Sequence, residues 1–255
     1  FHLLGTIGAM QFLSKQQKRE IRYALGRLVR DGSLQPQSTS DALNGPTAKQ
    51  WLEKTGQSAE SIREFWDVIL VSALGEHTDR VSMSAARKVL VDGFAIAHGA
   101  SDVLVPTLPL STLFGDLATE AMADRGVTIR TGQNVRQITR DGCVETATET
   151  IPFDFVVCAV PWHRIASLFS QWDPDEREAL PDLSQITEFP SSPISGVHLW
   201  FDRPITAMDH AVIVGLTSQW MFRPPAQSDQ SGGGEHYHQV VISGSVDESV
   251  DSKRA

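Results

Sequence analysis

GVTIRTGQNVRQITRDGCVETATETIPFDFVVCAVPW, residues 126–162, is the stretch whose punctuation decides the fold class. Three short runs alternate polar and apolar residues, and Asp141-Gly142 breaks them as a turn would. Alternation at period two predicts half-buried antiparallel strands. The run Phe155 to Val160 has no polar face, which predicts a strand covered on both sides and ended by Pro161. Ahead of this stretch, Leu110 to Asp124 has helical spacing and closes on Arg125-Gly126, a C-cap pattern. Helix, small meander and buried strand together predict an α/β chain of mixed α+β character.

Working outward, the first third is helical. Lys15 to Val29 carries Ile21, Leu25, Leu28 and Val29 on one stripe. Asp31 to Pro46 reads as a polar loop. Thr47 then caps Ala48 to Lys54, and Gly56 ends it. Ser58 opens a helix through Ile62, Phe65, Trp66, Ile69, Leu70 and Ala73, and Ser82 opens another. After Pro152 a polar helix is expected over Asp173 to Leu183. Strands follow at Ile194–Phe201, Ala211–Phe222 and Tyr237–Ser243, with Ser228 to Glu235 as a glycine-rich loop. The expected divisions are 1–104 (helical), 105–165 (helix, meander, buried strand) and 166–255 (sheet).

A chain of 255 residues with a formal charge of −9 is poorly suited to nucleic-acid backbones. No apolar run reaches the roughly 20 residues that a membrane span needs. The two cysteines, Cys143 and Cys158, have no CxxC neighbour, so no zinc site is expected, and such sparse usage suits a cytoplasmic setting. His236 and His238 are two apart on one strand, too few for a metal, and a solvated strand start is the expectation for them.

The run SAESIREFWDVILVSALGEHTDRVSMSAARKVLVDGF at 58–94 resembles the substrate-domain signature of the hydroxysqualene dehydroxylases, within the flavin amine oxidase and phytoene desaturase superfamily. Val105-Pro106-Thr107-Leu108-Pro109, Asn134-Val135-Arg136, Ala159-Val160-Pro161-Trp162, His198 to Pro204 and Gln219 to Phe222 agree in the same order. The resemblance implies FAD as cofactor and a partial FAD-binding two-dinucleotide-binding-domain fold joined to a helical and β-sheet substrate domain. It implies that Val135 offers its backbone to the adenine side, with Ala159, Val160 and Pro161 lining the adenosine pocket. No GxGxxG occurs in the sequence, so an internal segment of such an enzyme is the expectation, with flavin retention by the chain alone left open.

The implied substrate is a long-chain isoprenoid lipid, and the implied reaction is reductive dehydroxylation of hydroxysqualene to squalene. Phe65, Trp66, Phe94, Trp200, Trp220 and Phe222 are the candidate lining residues, because a hydrocarbon chain needs a dry aromatic or aliphatic surface. Ordinary core burial accounts for aromatics at this spacing too, and is commoner. Asp67, Glu76 and Asp92 are carboxylates that burial would turn into acids, although helix-end positions explain them; no catalytic residue is assigned. Three alternatives stay open: carotenoid or phytoene desaturation, amine oxidation, and a non-catalytic lipid- or partner-binding module. Lys15, Lys18, Arg19, Arg22, Arg27 and Arg30, beside the apolar run Phe1 to Leu13, would serve peripheral contact at the inner membrane face. An unpaired edge at Phe155–Val160 would favour a homo-oligomer.

Overall fold

Helix starts along this chain are set by hydroxyl caps, and the first half of the fold follows from them. A computed structural model describes residues 3–31, 45–95, 99–100, 102–173, 175, 180, 191–223 and 236–244. The loop expected near 32–44, the glycine-rich loop at 228–235 and most of the helix expected at 173–183 lie outside the described residues. The chain forms two compact units, residues 1–109 with 192–255, and residues 110–191.

In the first unit, α1 (Leu3–Ala9) precedes α2 (Lys15–Arg30). Ser14 and Gln17 cap α2 reciprocally, and Thr47 and Gln50 do the same for α3 (Ala48–Lys54), each hydroxyl and carboxamide satisfying one orphan N–H. Gly56, with φ +80°, turns the chain where a side chain would be strained. Ser58 caps α4 (Ala59–Ser61), which continues through a π-helical turn, Ile62–Trp66, into α5 (Asp67–Leu74). Ser82 caps α6 (Met83–Arg87), and a second π-helical stretch, Lys88–Ala95, follows it.

These helices share one apolar core, which includes Ile21, Leu28, Leu52, Phe65, Trp66 and Leu70. A polar seam ties α2 to the α4–α5 helix. Glu20 Oε2 accepts from Ser58 Oγ (2.7 Å), Ser58 N (3.1 Å) and Ser61 Oγ (2.7 Å). Gln57 Nε2 donates to the Glu20 carbonyl (2.9 Å), and Gln57 Oε1 accepts from Trp66 Nε1 (2.8 Å). The fully buried Trp66 thereby keeps its indole N–H paired.

The same unit carries a four-stranded antiparallel sheet of order β4-β7-β6-β5, with β4 at Ile194–Trp200, β5 at His210–Val212, β6 at Trp220–Phe222 and β7 at Tyr237–Ser243. The sequence run Ala211–Phe222, expected as one strand, is a hairpin instead. Gly215, with φ +80°, breaks it, and Ile213 N–H bonds Gln219 C=O (2.9 Å) across the turn.

The second unit begins with a π-helical stretch, Ser111–Leu117, leading into α7 (Ala118–Ala123); neither buries a residue. Strands β1 (Gln137–Ile138), β2 (Cys143–Glu145) and β3 (Thr150–Pro152) form the expected meander. Gly142 at its turn has φ +81°, and a Cβ there would lie 3.0 Å from the Phe153 carbonyl. α8 (Trp162–Leu168) packs on β1, and Trp172 Nε1 donates to the Ile138 carbonyl (2.7 Å). The strand expected at Phe155–Val160 is not in a ladder. No described strand pairs with it, and Phe155 and Val157 stand 92 % and 90 % exposed. Apolar content alone predicted cover; cover requires neighbours far away in sequence. Among the described residues, no helix is long and apolar enough to cross a membrane.

Burial opposes ionisation of Glu20, but the hydrogen bonds from Ser58, Ser61 and Gln16 outweigh it and lower the pKa from 4.5 to about 2. The stabilisation is therefore complete above the unfolded carboxyl's pKa and is lost as pH falls through about 2. Urea unfolding between pH 7 and 2 should show Glu20→Gln less stable by roughly 1 kcal/mol near neutrality, with the gap closing in acid. Trp66→Ala should cost about 3–5 kcal/mol in the same experiment, because it opens a cavity and orphans Gln57.

Candidate functional site

Strand register assembles an aromatic face that no single segment contains. β4 pairs with β7 so that Trp200 stands opposite Tyr237, His198 opposite Gln239 and Gly196 opposite Val241. β6 joins on the other side, with Phe222 opposite Gln239 and Trp220 opposite Val241. β5 adds His210 beside Phe222 and Val212 beside Trp220. Residues directly opposite share a face, so all of these side chains line one side of the sheet. On that face the outer strands β4 and β5 are exposed, with Trp200 at 64 %, while Tyr237, Gln239, Val241, Trp220 and Phe222 are half-buried.

The rings form two stacks. Trp200 and Tyr237 lie 5.1 Å apart between centroids, and His198 stacks on Tyr237 at 5.8 Å with planes 12° apart. Across the sheet, Trp220 and Phe222 are nearly parallel at 5.6 Å. His198 Nδ1 is hydrogen-bonded to the Tyr237 hydroxyl, which leaves Nε2 as the open ring nitrogen. Trp220 Nε1 donates to Ser72 Oγ on α5 (2.8 Å), so α5 stands at the Trp220 end of the face.

A separate cleft of about 320 Å³ opens between α5 and the β5–β6 turn, lined in part by Arg63, Asp67, Val71, His77, Leu216 and Ser243. Asp67 Oδ1 accepts from Thr78 Oγ1 (2.7 Å), and Arg63 pairs with Glu64 (2.8 Å). The buried Gln219 closes the floor, bonding Ser243 N (2.6 Å) and the Thr217 carbonyl (2.8 Å). The other two candidate acids are spent on ion pairs, Glu76 with Arg80 (2.8 Å) and Asp92 with Lys88 (3.4 Å).

The six candidate lining residues divide by environment. Phe65 and Trp66 are core residues in an edge-to-face pair at 5.1 Å, 6 % and 0 % exposed. Phe94 is half-buried in the π-helical stretch after α6. Trp200, Trp220 and Phe222 share the sheet face, and none of the six lines the cleft. Sequence reasoning passed over His198, Gly196, Tyr237 and Gln239. Their period-two spacing was visible, but the register that unites them was not. His238, expected at a solvated strand start, is buried and meets Phe201 edge-on at 5.7 Å.

The residues assigned to FAD lie in the second unit. Val135 is 42 % exposed and precedes the first ladder bond, Arg136 N–H to Glu145 C=O at 2.7 Å. Ala159, Val160 and Pro161 are exposed as well. Open backbone and small side chains fit one edge of a nucleotide. A pyrophosphate needs converging backbone N–H groups, as a glycine-rich turn into a helix supplies. No GxGxxG occurs in the sequence.

Comparison with known proteins extends the geometry. The chain is similar to a doubly substituted putrescine oxidase at 14 % identity and TM-score 0.62, covering 91 % of this chain and 53 % of that one. Wild-type putrescine oxidase bound to putrescine gives 16 % and 0.60 over the same shares. An oxidoreductase from Methanosarcina mazei gives 17 % and 0.59, covering 95 % of this chain and 54 % of that one. At such identities the likeness shows the fold, and the chain spans about half the length of these structures. No curated protein sequence matches it. The model of the family described as flavin containing amine oxidoreductase matches residues 8–249. That span covers nearly all of the sequence, and the family's cofactor is FAD: the chain belongs to the flavin-containing amine oxidoreductases.

Proposed function

We propose that the protein works as a flavin-dependent oxidoreductase on a long-chain isoprenoid, and that its reaction is the reductive dehydroxylation of hydroxysqualene to squalene and water. The aromatic sheet face carries this reading. A long unsaturated hydrocarbon offers almost no hydrogen bonds, so it is held by area and by ring contacts. Trp200, Tyr237, Phe222 and Trp220 supply such a surface on adjacent strands, with β4 and β7 paired over seven residues. Laying the chain against a fixed platform limits its conformers. The sequence runs at 58–94 and 198–204 support the same branch of the family.

Amine oxidation is the second reading, and one observation favours it. Asp67 places a carboxylate in a cleft small enough for a short amine, and the fold is shared with putrescine oxidase. Incubating the full protein anaerobically with hydroxysqualene and reduced flavin, then analysing products by mass spectrometry, separates the two. Squalene should form, and putrescine with oxygen should yield no hydrogen peroxide. Absence of squalene would overturn the proposal, and peroxide from putrescine would put amine oxidation in its place.

A further inference from the structure

We propose that the spot above Gly196 on the aromatic face recognises the hydroxyl group of a long unsaturated alcohol, and that His198 is the residue that reads it. The inference rests on the isoprenoid reading and adds the polar contact that sets where along the face the chain lies.

The geometry starts from a missing side chain. A Cβ on Gly196 would lie 3.5 Å from Gln239 Nε2 and 3.9 Å from His198 Nε2, so glycine leaves open a space bordered by two nitrogens. The backbone of Gly196 does not have the positive φ that favours glycine, and the residue sits inside a regular ladder. Local conformation therefore does not call for glycine here; room on the face does.

Chemistry then selects the ligand group. The Tyr237 hydroxyl takes up His198 Nδ1. If Tyr237 donates, neutral His198 carries its proton on Nε2; if His198 donates from Nδ1, then Nε2 is an acceptor. A hydroxyl both donates and accepts, so it satisfies Nε2 in either tautomer. An ether or ketone only accepts, and an ammonium group only donates. Gln239 Nε2 is a donor on the second side of the space, where a hydroxyl oxygen accepts and an ammonium group cannot.

The surroundings select the rest of the molecule. The Trp200–Tyr237 stack flanks the polar spot toward one end of β4, and the Trp220–Phe222 stack flanks it across β7. Val241 and Val212 continue the apolar surface beside Trp220. A polar pair, His198 and Gln239, set between rings and branched aliphatics, with His210 at the outer edge beside Phe222, matches an alcohol on an unsaturated chain.

Calorimetric titration of the full chain with farnesol, and with farnesene as the hydrocarbon of the same skeleton, tests the inference. The wild type should prefer the alcohol by roughly five- to tenfold, the worth of a hydrogen bond to a group otherwise solvated. His198→Ala should bring the two ligands to parity, read as the ratio of their affinities, because loss of ring area lowers both alike whereas loss of Nε2 lowers only farnesol. Gly196→Ala, whose added methyl meets neighbours at ordinary contact distances, should do the same by filling the space. Trp200→Ala should weaken both ligands together. Parity in the wild type, a preference that survives His198→Ala, or no binding of either ligand would overturn the inference. Failure to form squalene alongside an intact, His198-dependent preference would instead overturn the reaction and leave the site standing.

Discussion

The register of β4 on β7 is the constraint on which the functional reading depends. Seven consecutive pairs fix Trp200, His198 and Gly196 against Tyr237, Gln239 and Val241. A slip of one residue would turn every one of these side chains to the opposite face and replace the aromatic surface with Leu199, Val197 and Ser195. The opposite face of β7 guards against that slip, because His238 and Val240 are buried there. Burial on one side therefore determines what is displayed on the other.

The aromatic residues of this protein do two different kinds of work. In the helical part, Phe65 and Trp66 are sealed into a core and tied by Gln57 to the Glu20 carbonyl. Their contribution is to stability, and α5 takes its position from them through the π-helical turn. On the sheet, Trp200, Trp220 and Phe222 remain at least partly accessible. The two sets meet in one bond, from Trp220 Nε1 to Ser72 on α5, which couples the end of the exposed face to the helix that the core holds. In the second unit only Ile138 and Leu168 are buried apolar residues among those described, so Phe155 and Val157 stand in water.

Features set by local chemistry were legible in the sequence. Thr47, Ser58 and Ser82 cap helices where hydroxyl chemistry predicts, and Gly56 and Gly126 turn the chain with positive φ. Trp220 and Phe222 were readable as sharing a face because that follows from the strand period alone. The break at Gly215 was signalled by the glycine but masked by apolar residues on both sides. The missed features are non-local. Gly196 and Gln239 are far apart in sequence, and neither residue type marks a site by itself; only pairing brings the carboxamide over the glycine. Phe155 to Val160 shows the converse, an apolar pattern that promises a partner which pattern alone cannot supply.

In the proposed division of labour the sheet face binds and the helical core supports it. Isotope-filtered NMR of the full chain saturated with farnesol tests that division most directly. It should show nuclear Overhauser contacts from the prenyl methyl groups to the Trp200, Tyr237 and Phe222 rings, and from the hydroxymethylene protons to His198. Contacts running instead to Val71 and Leu216 in the cleft, or to the Phe65 and Trp66 rings in the core, would contradict it.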